Sequence, residues 1–426
     1  MSKKIDTSSY KGVRDFYPKE MHIEKYLFDG MRKVAERYGY VEYGASPLEP
    51  AELYKAKSGE EIIHEQTYTF TDRGDREVTL RPEMTPTVAR MVAGRKRDLA
   101  FPLRWYSIPN LFRYENPQRG RLREHFQLNV DIFGVTGLDA DVEIISVASD
   151  TLKQFGATTA DYSILINSRK IFQDLCEHFN ISTEQQYILS KIIDKKNKVE
   201  KDLFREAVEK ILLSNTDIFI GALERTKNLI ELLGEKNPHI QNLVVLIEKL
   251  ENVGITNVVF TPTLMRGFDY YTDIVFEIFD TNPDNRRSLF GGGRYDNLTE
   301  LFSDDKVPAV GFGMGDVTLL DFLTTHNLLP EYQSEVTVML ASVKTDSSAV
   351  IRLAQTLRSE GINVATETSE KGVGDKIKAT LKLAIPFFIA VGENETTSKQ
   401  YKVKNLITEQ ETSVSEHEIV NILKRG

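Results

Sequence analysis

The stretch FQLNVDI, residues 126–132, alternates without a break. Phe126, Leu128, Val130 and Ile132 are apolar, and Gln127, Asn129 and Asp131 are polar. A period of two means an extended strand with one face in a core. The second face is unlike that of an ordinary solvated strand, which more often carries Lys, Glu and Thr. Amides and one acid in register suit recognition of a polar ligand. The surrounding residues 41–135 are rich in aromatic and β-branched side chains with turn signals, which predicts antiparallel strands. YTFTDRGDREVTLRPE reads as a hairpin with Gly74 and Asp75 in its turn.

Elsewhere the pattern changes. Residues 20–40 and 139–155 read as helices. Residues 170–255 carry Leu, Ile, Lys and Glu at helical spacing, so this stretch is expected to be a helical insertion. Strand patterning resumes at TLMRGFDYYTDIVFEIFD and runs through FGGGRYDNL to PAVGFGMGDVTLLDFL. TTHNLLPEYQSE then reads as a polar linker. Beyond it, VTVMLAS, INVATET, PFFIAVG and YKVKNLI read as strands, and SAVIRLAQTLRSEG and KGVGDKIKATLKLA as helices, a small α/β unit. The expected boundaries are 1–325 for a first domain containing the 170–255 insertion, 326–334 for the linker and 335–426 for the last domain.

Charge narrows the partners. The chain has 54 Lys and Arg against 63 Asp and Glu, a net charge of −9, which argues against coating nucleic acid non-specifically. The last domain holds 12 basic and 12 acidic residues, so it is neutral overall. No apolar run approaches the ~20 residues of a membrane helix. A single cysteine, Cys176, excludes an internal disulfide and reads as a small core residue. MSKKIDTSSYKG lacks the apolar stretch of a secretory signal, so a cytoplasmic location is expected. No two histidines stand at metal-ligand spacing, and no metal site is expected.

Four segments carry residues suited to chemistry. In LRPEMTP, Arg81, Glu83 and Thr85 alternate and would share one face of an extended chain. Glu83 suits an ammonium group, although the triplet alone reads first as a solvated strand end. In RWYSIPNLFRYENPQRGRLREHFQ, Arg113, Arg119, Arg121 and Arg123 surround one acid, Glu115. Guanidinium groups contact phosphate bidentately, so a polyphosphate or an RNA end is the natural guest; a solvated charged hairpin is the plainer alternative. In LMRGFDYYTDIVFEIF, Asp269, Tyr271 and Asp273 would share one strand face, Tyr270, Ile274 and Phe276 the other, with Arg266 at the mouth. Gly291, Gly292 and Gly293 allow close approach of a backbone, but they lack the Gly-Lys-Ser/Thr ending of a P-loop. Gly311, Gly313 and Gly315 would let a helix pack tightly on the sheet. There is no Gly-x-Ser-x-Gly nucleophile elbow.

In this order the segments resemble the histidyl-tRNA synthetases, a class II aminoacyl-tRNA synthetase family. YKGVRDFYP is similar to the family's N-terminal signature, and YGYVEYGASPLE to motif 1, whose proline, Pro47 here, lies at a dimer interface. RWYSIPNLFRYENPQRGRLREHFQ resembles motif 2. LMRGFDYY and GGGRYDNL resemble the two peptides peculiar to the histidine enzymes. PAVGFGMG resembles the start of motif 3, and the terminal unit resembles an anticodon-binding domain.

The resemblance implies an α+β catalytic domain built on an antiparallel sheet with a helical insertion, plus a C-terminal α/β anticodon-binding domain. It implies ATP-dependent activation of histidine to histidyl-adenylate and transfer to the 3′ adenosine of histidine tRNA by a homodimer. Glu83, Thr85, Gln127, Asp131, Tyr271 and Tyr295 would form the histidine pocket. Arg113 would hold the ATP α-phosphate, with Arg266 contacting it from the other side; both are the expected catalytic residues. Glu115, Arg121 and Arg123 would lie around ATP, and Gln118 and Arg119 would meet the tRNA acceptor end. Mg²⁺ would be held mainly by the ATP phosphates. No protein nucleophile is required, because carboxylate attack on the α-phosphate is served by positioning and cationic stabilisation.

One departure stands out. Family members usually carry Gly-x-Glu-Arg-Leu in motif 3, whereas this chain has Val317 and Thr318 at the Glu and Arg positions. That arginine grips the ATP γ-phosphate in the family. The departure keeps a second reading open: a catalytically altered relative, either a histidine-sensing regulatory subunit of ATP phosphoribosyltransferase or a tRNA sensor. The regulatory subunits typically lose the anticodon domain and erode Arg-Gly-x-Asp-Tyr-Tyr, and this chain keeps both.

Overall fold

In the computed structural model the described residues are 4–55, 66–265, 270–285, 287–304, 306–344 and 347–424. Arg266 and Asp269 lie outside them. The chain divides into two compact units, Met1–Leu329 and Pro330–Gly426.

The strands of the first unit are, in chain order, β1 (Val41–Glu42), β2 (Leu48–Pro50), β3 (Tyr68–Thr71), β4 (Glu77–Leu80), β5 (Leu103–Ser107), β6 (Asn110–Phe112), β7 (Glu124–Phe133), β8 (Tyr162–Ser168), β9 (Val258–Phe260), β10 (Ile274–Asp280), β11 (Ser288–Arg294) and β12 (Ala309–Gly315). The main sheet runs β1-β5-β7-β12-β11-β10-β8-β9, and β6 adds to β7. Its pairs are antiparallel except β1–β5 and β8–β9 at the two edges. The alternation from Phe126 to Ile132 thus lies in a strand with neighbours on both sides. The hairpin β3–β4 joins β2 in a separate small sheet. Its turn is built by Asp72, whose Oδ1 accepts the amides of Gly74 and Arg76.

The two faces of β7 have different fates. Leu128, Val130 and Ile132 are buried against helices Pro18–Arg37, Leu138–Gln154 and Asp316–Thr325, through Met31, Ile144 and Phe322 among others. The opposite face is only partly roofed, by helix Thr85–Arg95, whose Val88, Ala89 and Val92 pack with Tyr270, Tyr271 and Tyr295. That helix interrupts the strand-rich 41–135 region. Pro86 at its first turn suits helix initiation, because a missing N–H costs nothing there.

Between Arg169 and Asn252 the chain forms successive helices joined by short turns. Ser182 and Gln185 form a capping box at the start of helix Thr183–Asp194. Ile240, Leu243, Leu246 and Leu250 form the buried stripe of helix Pro238–Asn252. Cys176 is fully buried in this region, and burial pushes its thiol up to about 12. It is a core residue.

The second unit holds β13 (Val338–Ser342), β14 (Val364–Glu367), β15 (Phe387–Val391), β16 (Gln400–Asn405) and β17 (Glu411–Ser415), ordered β14-β13-β15-β16-β17. The first three are mutually parallel and the last two antiparallel. Helices Ser347–Ser359 and Val373–Lys382 make the crossovers. No helix among the described residues is long and apolar enough to cross a membrane.

Candidate active site

The polar face of β7 opens into a small pocket of about 40 Å³, lined by Glu83, Thr85, Arg113, Gln127, Asn129, Tyr270, Tyr271 and Tyr295 with Gly291, Gly311 and Gly313. Elements distant in sequence meet here because β7, β12, β11 and β10 are successive neighbours in the sheet. Three glycines, Gly293, Gly311 and Gly313, make the space. In the β7–β12 register Gly311 faces Asp131, and a Cβ there would stand 2.1 Å from Asp131 Oδ1. A Cβ on Gly293 would stand 2.9 Å from the ring of Tyr271. Gly311 and Gly313, the latter with a Cβ that would stand 2.8 Å from the Gln127 carboxamide, therefore clear room for Asp131 and Gln127, which corrects for these two the expectation that they admit a packing helix; Gly315 does face Thr318 of helix Asp316–Thr325. Gly291–Gly293 lie within β11, and no turn is formed there.

Asp131 is buried behind that lining, paired with Gly311 and bonded to Tyr295. Burial pushes its carboxyl up to about 7, and the hydroxyl of Tyr295, which donates to Asp131 Oδ1, pulls the other way. Tyr295 is itself buried and stays protonated, its ionisation opposed first by burial and then by Asp131. Near neutral pH this carboxyl is poised to accept a hydrogen bond when charged or to donate one when neutral.

Glu83 forms one wall. It is 3% exposed, and Oε2 accepts from Tyr270 Oη at 2.9 Å. Thr85 opens helix Thr85–Arg95, so the chain turns between Pro82 and Pro86. That turn separates Arg81 from the other two. Its guanidinium is directed at the carbonyls of Asn110 (3.0 Å) and Ala45 (2.7 Å), so the single shared face expected for Arg81, Glu83 and Thr85 is not formed. The strand-face expectation for residues 269–276 also changes. Strand pairing starts only at Ile274, and Tyr270 and Tyr271 both line the pocket. Tyr270, read from sequence as a core-facing residue, and Asn129, read only as part of the recognition face, also line the pocket. Asn129 had a signal, since it shares the face of Gln127 and Asp131.

The same unit holds a wide cleft of about 1090 Å³, lined among others by Gln118, Arg119, Arg121, Lys196, Arg287 and Thr318. Its three arginines are engaged with internal acceptors. Arg119 Nε donates to Asp321 at 2.8 Å, Arg121 lies 3.5 Å from Glu115, and Arg287 Nη2 donates to Gln118 Oε1 at 2.8 Å. Arg113 Nε donates to the carbonyl of Pro82 at 2.9 Å. Arg123 is set deeper, 7% exposed. It stacks over Tyr114 with 4.1 Å to the ring centroid and donates to Tyr10 Oη at 3.0 Å. Its role here is to hold the N-terminal segment against the 113–123 loop. Thr318 Oγ1 donates to the carbonyl of Leu289 at 2.6 Å. Arg287 was not singled out by sequence, because a lone arginine before a strand carries no pattern.

His125 lies on the same strand face as Gln127. Burial, and then the charges of Arg113 and Arg14, push its imidazole down to about 3, so it is a neutral ring at physiological pH. Arg14 pairs with Asp316, which also accepts the amide of Phe126 at 2.9 Å. Glu24 is 2% exposed beside them, and burial followed by the charge of Asp316 pushes its carboxyl up to about 8. This buried cluster ties the N-terminal segment to the start of helix Asp316–Thr325.

Comparison with known proteins agrees over the full length. The sequence profile described as histidyl-tRNA synthetase matches residues 12–318, and that of an anticodon binding domain matches residues 335–426. The histidine–tRNA ligase of Leptospira biflexa is 43% identical, with 99% of this chain and 98% of the relative covered. That of Thermoplasma volcanium is 36% identical, with 98% of each covered. The crystal structure of histidyl-tRNA synthetase from Nostoc sp. superposes with a TM-score of 0.82 at 24% identity, covering 99% of this chain and 100% of that one. This last likeness speaks to the fold.

Proposed function

This chain belongs to the histidyl-tRNA synthetase family, and from that premise we propose how its pocket and cleft divide the work. The chain is a histidine–tRNA ligase. It activates histidine with ATP to histidyl-adenylate and pyrophosphate, then transfers the histidyl group to the 3′ adenosine of histidine tRNA. The regulatory-subunit or sensor alternative is not favoured, since the ligase relatives match the whole chain including the anticodon-binding region.

In this reading the small pocket holds histidine. Asp131, supported by Tyr295, receives an imidazole N–H. Glu83, Thr85 and Gln127 hold the polar groups around the ammonium, and Tyr271 closes the side. The carrying observation is that five of the six expected residues line one cavity, and the sixth, Asp131, is buried behind it and accepts the hydroxyl of Tyr295. Arg113, on the pocket lining, would take the α-phosphate when the histidine carboxylate attacks. Negative charge then grows on the in-line oxygens, and a preorganised guanidinium stabilises it. Arg266 would act from the other side. Glu115, Arg121 and Arg123 surround the nucleotide, with Arg123 acting by ordering the loop. ATP would bring Mg²⁺ on its phosphates, which supplies further positive charge.

Thr318 cannot grip a phosphate electrostatically. Arg287 lines the same cleft and is the cation we assign to the γ-phosphate side, releasing Gln118 as it turns to the nucleotide. Gln118 and Arg119 would meet the tRNA acceptor end. The working division is a catalytic domain over 1–325 with the 170–255 insertion, a linker over 326–334 and an anticodon-binding domain over 335–426. A homodimer is supported by the exposed apolar side chains Val41, Leu48 and Phe70 around the Pro47 segment. The absence of any long apolar helix among the described residues is compatible with a cytoplasmic enzyme. The test is histidine-dependent exchange of pyrophosphate into ATP by the purified chain. Folded protein that binds histidine without exchange would overturn the assignment of this site.

A further inference from the structure

Four consecutive residues, Asn167 to Lys170, stand where β8 ends and the helical stretch begins. Each of them reaches the chain flanking Arg266–Asp269. On the near flank, Asn167 Nδ2 donates to the carbonyls of Pro262 (3.1 Å) and Leu264 (3.0 Å). On the far flank, the Arg169 amide donates to Asp273 O at 3.0 Å. Ser168 Oγ donates to Asp273 Oδ1 at 2.6 Å, and Lys170 Nζ pairs with Asp273 Oδ2 at 2.8 Å. Among the described residues, Arg169 bridges the flanks with one side chain: Nη1 donates to Tyr271 O at 2.9 Å and Nη2 reaches Met265 O at 3.5 Å.

These contacts exceed what closing a sheet edge requires. The β8–β10 ladder already ends at the Ser168–Ile274 pair. The extra donors converge on the backbone that carries Tyr270 and Tyr271, the tyrosine wall of the small pocket. The same four residues lead into helix Arg169–His178, whose Ile171, Phe172, Leu175 and Cys176 are buried in the helical core. A packed core transmits displacement with little loss. A shift of the helical insertion is therefore felt at Tyr271 through a guanidinium rather than through flexible backbone.

We propose that Arg169 is a positioning residue for the amino-acid pocket, clasping both flanks of Arg266–Asp269 so that the seat of the helical insertion sets the tyrosine wall. The proposal rests on the assignment of that pocket to histidine. Its chemistry is elementary: a planar fork of donors bridges two carbonyls that no single ammonium spans.

The test compares wild type with Arg169→Met, Arg169→Lys and Asp273→Asn in pyrophosphate exchange, with thermal melting run in parallel. Arg169→Met keeps the apolar stem and removes the fork. It should raise the KM for histidine about tenfold or more while leaving the KM for ATP within about twofold. Arg169→Lys should fall between wild type and Met, since one carbonyl is still reached. Asp273→Asn weakens the Lys170 contact but keeps a partner for Ser168, so it should shift the histidine KM in the same direction by a smaller factor. Should Arg169→Met fail to fold, the Lys and Asn variants decide. Unchanged histidine KM in the folded variants, or equal changes in both KM values, overturns the clasp. Loss of exchange in wild type itself would instead strike the parent assignment.

Discussion

Replacing Tyr295 by phenylalanine removes one oxygen and leaves the ring. The edge contacts with Phe133 and Tyr270, at centroid distances of 6.1 and 5.9 Å, have no need of the hydroxyl. What is lost is the donor that opposes the effect of burial on Asp131. A hydrogen bond to a charged group is worth about 1.5–3 kcal/mol, so its loss should weaken histidine binding about 10- to 100-fold wherever Asp131 must be ionised. The pH dependence carries the sharper test. In wild type the Asp131 carboxyl stands at about 7, so it is mostly ionised at pH 8. Without the hydroxyl it moves higher, and a larger share of it is neutral at that pH. The defect should be large at pH 8 and shrink as pH rises far enough to ionise the variant too. The stability sign is separate. Because the folded carboxyl is raised, the folded chain retains a proton the unfolded chain releases. This group therefore costs stability progressively from about pH 4 to about 7 and by a constant amount above. Histidine-dependent exchange across pH 7–9.5 gives the KM ratio directly. A ratio that does not change with pH, or a KM for histidine within twofold of wild type throughout, refutes the role given to the pair.

Three further outcomes are expected. Gly311→Ala should abolish measurable exchange, since its Cβ would stand 2.1 Å from Asp131 Oδ1 and 2.7 Å from the carbonyl of Val130, and the backbone atom cannot swing aside; retained exchange would mean that β12 shifts freely against β7. Arg287→Ala should raise the KM for ATP about tenfold with the KM for histidine unchanged, as steady-state exchange kinetics would reveal; an unaltered ATP KM removes Arg287 from the nucleotide side. Glu24→Gln should remove a pH-dependent loss of stability. The wild-type carboxyl, raised to about 8, costs stability as pH climbs from its ordinary range to about 8, so wild-type melting temperature should decline over that window and the variant's should stay flatter. Parallel melting curves for the two would show that Glu24 is not the group responsible.

What sequence patterning captured and what it missed follow from the distance over which each feature is decided. The alternation from Phe126 to Ile132 is a local property of one strand, and its two faces went where the period of two sent them. The hairpin at Gly74 and Asp75 is equally local. Arg81 failed the same rule because the chain leaves the extended state at Pro82 and enters a helix at Thr85, so parity stopped carrying information after two residues. Tyr270 was consigned to a core face for the same reason, since pairing begins four residues later. Helix Thr85–Arg95, β17 and the terminal helix Glu416–Leu423 were not read as separate elements, being short segments whose apolar residues acquire their burial from partners elsewhere.

The glycines show the limit most clearly. Their spacing in Gly311, Gly313 and Gly315 was visible, but its cause was not. Gly311 must be glycine because β12 lies beside β7 in the one register that sets it against Asp131. That register is fixed by sheet neighbours far apart in the chain. A one-residue slip would turn Asp131 into the helical layer and Val130 into the pocket. The buried carboxylate and the glycine that admits it are therefore one feature. A pocket that takes an imidazole N–H, as proposed for this one, needs an acceptor behind its lining. An acid set that close to the next strand needs a neighbour with no Cβ, and the chain meets both needs with residues from motifs that meet only in the folded sheet.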